Sequence, residues 1–179
     1  MKKVNLFFIL YLIGSLMFFG CSGGGSNNST TELPPAQSTT KVLVSPASGN
    51  VSNGTTFTRT VEVQNIKNGF FTAFDLTYDP AIIEFVDATE GVLLNQNGAA
   101  QTFFQVALEN GGQGRVVVGL TRLGQIGEVS GSGTLLTLSF KAVGTGTAIL
   151  AFSNPKGFKS MSNQDLTIDA WENGTITVQ

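Results

Sequence analysis

From residue 41 onward, apolar and polar residues alternate with a period of two, in runs rich in Val, Ile, Thr and Phe separated by clusters of Gly, Asn, Pro and Ser. Such alternation predicts half-buried strands, and no stretch of ten residues there carries a helical period. Nine strands are expected, over 42–45, 56–66, 70–78, 82–86, 102–109, 115–123, 134–143, 147–152 and 175–178. The breakers between them fall at 49–54, 95–99, 110–114 and 124–133. The stretch 155–171 has the weakest pattern and leaves room for a short extra strand at 166–168.

Alternation also assigns faces, because successive side chains on a strand point to opposite sides of the sheet. In 70–78 the set Phe70, Thr72, Phe74, Leu76 and Tyr78 is the more apolar and is expected inward, which leaves Phe71, Ala73, Asp75 and Thr77 outward. Val61 and Val63 go in while Thr60, Glu62 and Gln64 go out. Leu136, Leu138, Phe140 and Ala142 are inward, and Thr137, Ser139 and Lys141 outward. One-sided strands in this number, without helices, predict an all-β fold: a nine-stranded antiparallel β-sandwich of jelly-roll topology.

The first forty residues read differently. Two lysines precede an apolar run from Leu6 to Gly20 that is short for a membrane span, and Cys21 follows. This is the layout of a secretory signal peptide over 1–20, with an end similar to a bacterial lipobox, so Cys21 is the expected lipidation site. Residues 21–40 are rich in Gly, Ser, Asn and Thr and predict a flexible linker, reaching roughly 25 Å in the root-mean-square sense, ahead of a domain over 41–179. The expectation is an exported chain, lipid-anchored to the outer membrane or cell surface of a bacterium.

Composition narrows the function. Without Lys2 and Lys3, eight basic residues face twelve acidic ones, a net −4, and nothing attracts phosphate, so nucleic acid is not an expected partner. The chain has no histidine and one cysteine, which leaves no internal disulfide, no usual zinc site and no base for a serine triad. Asp75 and Asp79 lie four residues along a strand, roughly 13 Å apart, too far for a glycosidase pair. No Asp-rich calcium loop is present either. No catalytic residue, metal or cofactor is therefore expected.

Three stretches, "FTRTVEVQNIKNGFFTAFDLTYDPAIIEFVDATEGVLL", "GSGTLLTLSFKAVGTGTAIL" and the terminal "NGTITV", resemble a cohesin domain over the whole of 41–179. That resemblance implies a nine-stranded jelly roll that binds calcium-loaded dockerin modules of secreted glycoside hydrolases, and hence a noncatalytic role linked to polysaccharide degradation. The family's Asn-x-Asp contact pair, placed by aligning backward from Pro80, would fall on Phe71 and Ala73. The expected docking residues are Phe71, Ala73 and Asp75 on the outward strand face, helped by Arg122, Gln125 and Glu128 of the loop 122–128. The alternatives are direct carbohydrate binding through Trp171 and a structural part in an envelope assembly.

Overall fold

The computed structural model describes residues 38–109 and 114–179. The expected export signal over 1–20, Cys21 and the linker as far as residue 37 lie outside these. Thr39 and Thr40, read from the sequence as the last of the linker, are already tied to the domain. Their carbonyls accept from Asn65 Nδ2 at 3.0 Å and from the Asp169 amide at 2.8 Å.

The described chain forms β1 (Lys41–Ser45), β2 (Ser48–Val51), β3 (Thr56–Gly69), β4 (Phe71–Thr77), β5 (Ile83–Glu90), α1 (Val92–Asn95), β6 (Thr102–Leu108), β7 (Arg115–Arg122), β8 (Val129–Ala142), β9 (Gly146–Lys159), β10 (Asp165–Leu166), β11 (Ala170–Glu172) and β12 (Gly174–Val178). All nine expected strands are present, and the short extra strand expected at 166–168 appears as β10, shifted by one or two residues. Two further short strands, β2 and β11, were hidden from periodicity because neither alternates; each pairs in parallel beside a terminal strand, β2 with β12 and β11 with β1. One sheet runs β11-β1-β3-β8-β5, and the other β2-β12-β9-β4-β7-β6 with β10 added on β9. The two form a β-sandwich.

Four strands outrun their expected ends, among them β5, which runs on to Glu90. β3 continues to Gly69 through register shifts in its pairing with β8, with Asn65 and Asn68 at positive φ, a conformation that asparagine tolerates better than most residues. β8 begins early, at Val129, as its partner. β9 passes a bulge opposite β4 and runs on to Lys159.

The core lies between the sheets. Val42, Val44, Val61, Val63, Leu136, Leu138 and Phe140 from the first sheet meet Phe74, Leu76, Val116, Val118, Leu120, Leu150, Phe158 and Ile176 from the second, all essentially without solvent contact. The inward set of β4 is as expected: Thr72, Phe74 and Leu76 are fully buried. At the end of β4 the Asp79 carboxylate accepts from the Ala81 amide at 2.9 Å and caps the Tyr-Asp-Pro turn. Gly114, at φ +76°, packs so closely on Tyr78 and Pro80 that any side chain would clash, and its carbonyl accepts from the Tyr78 amide at 2.8 Å. Burial pushes the Tyr78 phenol above its ordinary pKa.

Candidate functional site

Residues directly opposite one another in paired strands share a face, so strand register maps the outer surface of the second sheet. The register places one row across β6, β7, β4 and β9 as Phe103, Thr121, Phe71 and Lys159. The next row is Gln105, Gly119, Ala73 and Gly157, and the third is Ala107, Val117, Asp75 and Ser153. Past Gln105, the middle row is thus a lane of small residues. A β-carbon added at Gly119 or Gly157 would meet nothing within 4 Å, so the lane is open to solvent. Phe103 is 54% exposed and Val117 37% exposed on either side of it.

Phe71 and Ala73 stand on this face as expected, each half-buried. Asp75 does not stand free. Its side chain is 2% exposed, and Arg115 Nε donates to it at 2.9 Å while Arg115 Nη2 donates to the same oxygen. The other end of the guanidinium pairs with Glu109. The hydrogen bond to Asp75 comes first among the causes that hold Arg115 above the ordinary arginine pKa, and the charge of Glu109 adds to it. A carboxylate engaged in this way is part of the sheet surface and is not an open contact. Sequence alternation placed Asp75 on the correct side but could not supply its partner, forty residues away in the chain.

The loop expected to help lies beside this face: the Arg122 amide donates to the Phe70 carbonyl at 3.0 Å. Arg122 itself, expected as a contact residue, is 4% exposed. It donates through Nη1 to the Leu94 carbonyl and through Nη2 to Gln96 Oε1 at 2.9 Å, pinning the turn after α1 to the end of β7. Gln125 and Glu128 are exposed, and Glu128 accepts from the Met161 amide at 2.8 Å. Trp171, the alternative sugar platform, packs edge-on against Phe152 with centroids 5.1 Å apart and tilts against Phe74 at 6.0 Å. Lys156 Nζ lies 5.7 Å from its ring centroid. The indole is a half-buried side wall of the core.

Four residues on this face escaped sequence reasoning: Phe103, Val117, Gly119 and Gly157. Their positions in alternating runs were visible, but only register shows that they share rows with Phe71 and Ala73. Among the described residues no group of acidic, histidine or cysteine side chains could hold a metal ion, and no helix is long and apolar enough to cross a membrane.

The fold is a two-sheet β-sandwich with exposed apolar side chains on the outer side of its second sheet. The family model for the cohesin domain matches residues 40–178, and the chain belongs to the cohesin family, whose members are noncatalytic protein-interaction modules. No curated protein matches the sequence. Among solved structures, a non-cellulosomal cohesin from the hyperthermophilic archaeon Archaeoglobus fulgidus superposes with a TM-score of 0.63 at 20% identity, covering 79% of this chain and 91% of that one. The sixth cohesin of Acetivibrio cellulolyticus scaffoldin B, solved in complex with a mutant dockerin, gives 0.64 at 19% identity over 79% and 99%. A cohesin from Clostridium acetobutylicum, solved in solution, gives 0.64 at 20% over 79% and 91%. At such identities the likeness establishes the fold.

Proposed function

We propose that the protein is a surface-displayed recognition module that docks a dockerin-like module of an exported partner on the outward face of β6, β7, β4 and β9, in the service of polysaccharide breakdown. The observation that carries this reading is the row structure of that face, an open lane of Gly119, Ala73 and Gly157 bordered by Phe71, Phe103 and Val117. Apolar surface gathered on one regular sheet is stabilised when a partner covers it. Phe71 and Phe103 act as the aromatic anchors, and the loop 122–128 extends the contact through Gln125 and Glu128. The remaining parts of the reading concern display. Residues 1–20 direct export, Cys21 carries the lipid, and residues 21–40 space the domain 41–179 from an outer-membrane or cell-surface anchor.

The test is retention of a purified calcium-loaded dockerin by the immobilised protein, with and without a chelator. Phe71→Asp should abolish retention, while Thr137→Asp, on the opposite sheet, should leave it intact. Retention that survives Phe71→Asp would remove the docking face from consideration. Cys21→Ser should end incorporation of labelled fatty acid in cells; continued labelling would refute the anchor.

A further inference from the structure

At the β9 end of the small-residue lane lies a cavity of about 160 Å³ lined by Phe71, Ala73, Lys156, Gly157, Lys159 and Asp165. Its apolar lining comes from Phe71, Ala73 and Gly157. A space of this size accommodates one aliphatic side chain. The lining includes two lysines with different fates. Lys159 is paired with Asp165 at 2.9 Å. Lys156 sits by the Trp171 ring, and among the described residues no carboxylate pairs with it. Among the lining residues two lysines thus face one carboxylate, Asp165, in a chain whose overall formal charge is −2.

From this we infer that the pocket selects a partner segment in which an aliphatic side chain is followed by a carboxylate, the first filling the cavity and the second meeting Lys156. Charge complementarity is the argument for that occupant. An acidic sugar would bring the same charge, but its hydroxyls would face apolar walls and lose their water partners. The Trp171 ring, packed on Phe152 and Phe74, holds the Lys156 ammonium through a cation–π contact and acts as a positioning residue.

The inference rests on the docking-face reading and is tested apart from it. Backbone amide resonances of the protein are followed while acetyl-Leu-Asp-amide, acetyl-Leu-Lys-amide, acetyl-Gly-Asp-amide and galacturonate are added in separate titrations. The Leu-Asp peptide should shift Ala73 and Gly157, bind in the millimolar range and exceed the Leu-Lys peptide by about threefold, the scale of an exposed ion pair. Removing the leucine should weaken binding further, and Lys156→Glu should reverse the charge preference. Equal binding of the Leu-Asp and Leu-Lys peptides, a preference for galacturonate, or shifts remote from the pocket would each overturn the inference. If Phe71→Asp abolishes dockerin retention while the peptides show no discrimination, the charge rule falls and the face stands. If retention survives Phe71→Asp, the face falls and the charge rule with it.

Discussion

The two sheets of this sandwich turn very different outer faces to solvent. On the first, Thr56, Thr58 and Thr60 of β3 lie opposite Lys141, Ser139 and Thr137 of β8, Glu84 lies directly opposite Lys141, Lys41 pairs with Glu172 at 2.7 Å, and Val86 of β5 is the exposed apolar exception. On the second, the corresponding positions of β6, β7, β4 and β9 hold Phe103, Val117, Phe71, Ala73 and two glycines, and the one carboxylate in their midst is already engaged by Arg115. Both sheets cover the same core, so folding alone demands no such asymmetry. A polar outer face is what solubility favours, and an apolar one carries an aggregation risk that is offset only when something covers it. The difference is the basis for proposing the second sheet as the docking surface.

Four experiments sharpen or break this contrast. The largest effect should come from the two phenylalanines of β4. Phe74 is fully buried, and Phe74→Ala should lower unfolding free energy by about 3–5 kcal/mol in urea denaturation. Phe71→Ala on the outer side should cost roughly 1 kcal/mol or less. Comparable losses at both sites would erase the distinction between the faces. Next, Arg115→Ala strands the buried Asp75 carboxylate and should lower Tm well beyond Lys41→Ala, which breaks an exposed pair whose two side chains are 35% and 47% accessible. Equal shifts would mean that Asp75 reaches water without its partner.

A smaller effect on stability, opposite in sign, is expected at the lane. Gly119→Val meets open space and replaces a flexible residue in a strand, so it should leave Tm unchanged or slightly raised while it blocks dockerin retention. A Tm fall of the size seen for Phe74→Ala would show that the lane is closed. The smallest effect is at high pH. Tyr78 has a folded-state pKa above its ordinary value of 10.0, so its contribution is fully present below pH 10 and is lost as pH rises toward the folded value, because the unfolded chain releases the proton first. Tyr78→Phe should flatten that decline in a pH series of melting curves, and an unchanged slope would exclude the phenol as its source.

Much of this fold was legible in the sequence because a period of two writes the buried face of each strand directly into residue order. The inward set Thr72, Phe74 and Leu76, the outward set Thr137, Ser139 and Lys141, and the Asp79 cap all follow from local rules. What stayed hidden depends on pairing across long stretches of chain. β2 spans Ser-Gly-Asn-Val, which has no alternation, and exists because β12 offers it an edge. The alternation of β9 fades after Phe152, yet the strand continues past a bulge and brings Gly157 and Lys159 beside Ala73 and Phe71. The proposed docking face was therefore half visible: its β4 residues could be named, and their neighbours on β6, β7 and β9 could not. Arg122 was misplaced for the same reason, since its acceptors at Leu94 and Gln96 belong to a segment whose position no local pattern gives.

Gly119 and Gly157 set a limit on how near any visitor can come. With no side chain at either position, the peptide planes of β7 and β9 are themselves the lowest ground of the surface, and a bound segment can rest on main chain at van der Waals range. Every other amino acid at those two positions would lift that ground, so the depth of the seat is set by what this chain leaves out.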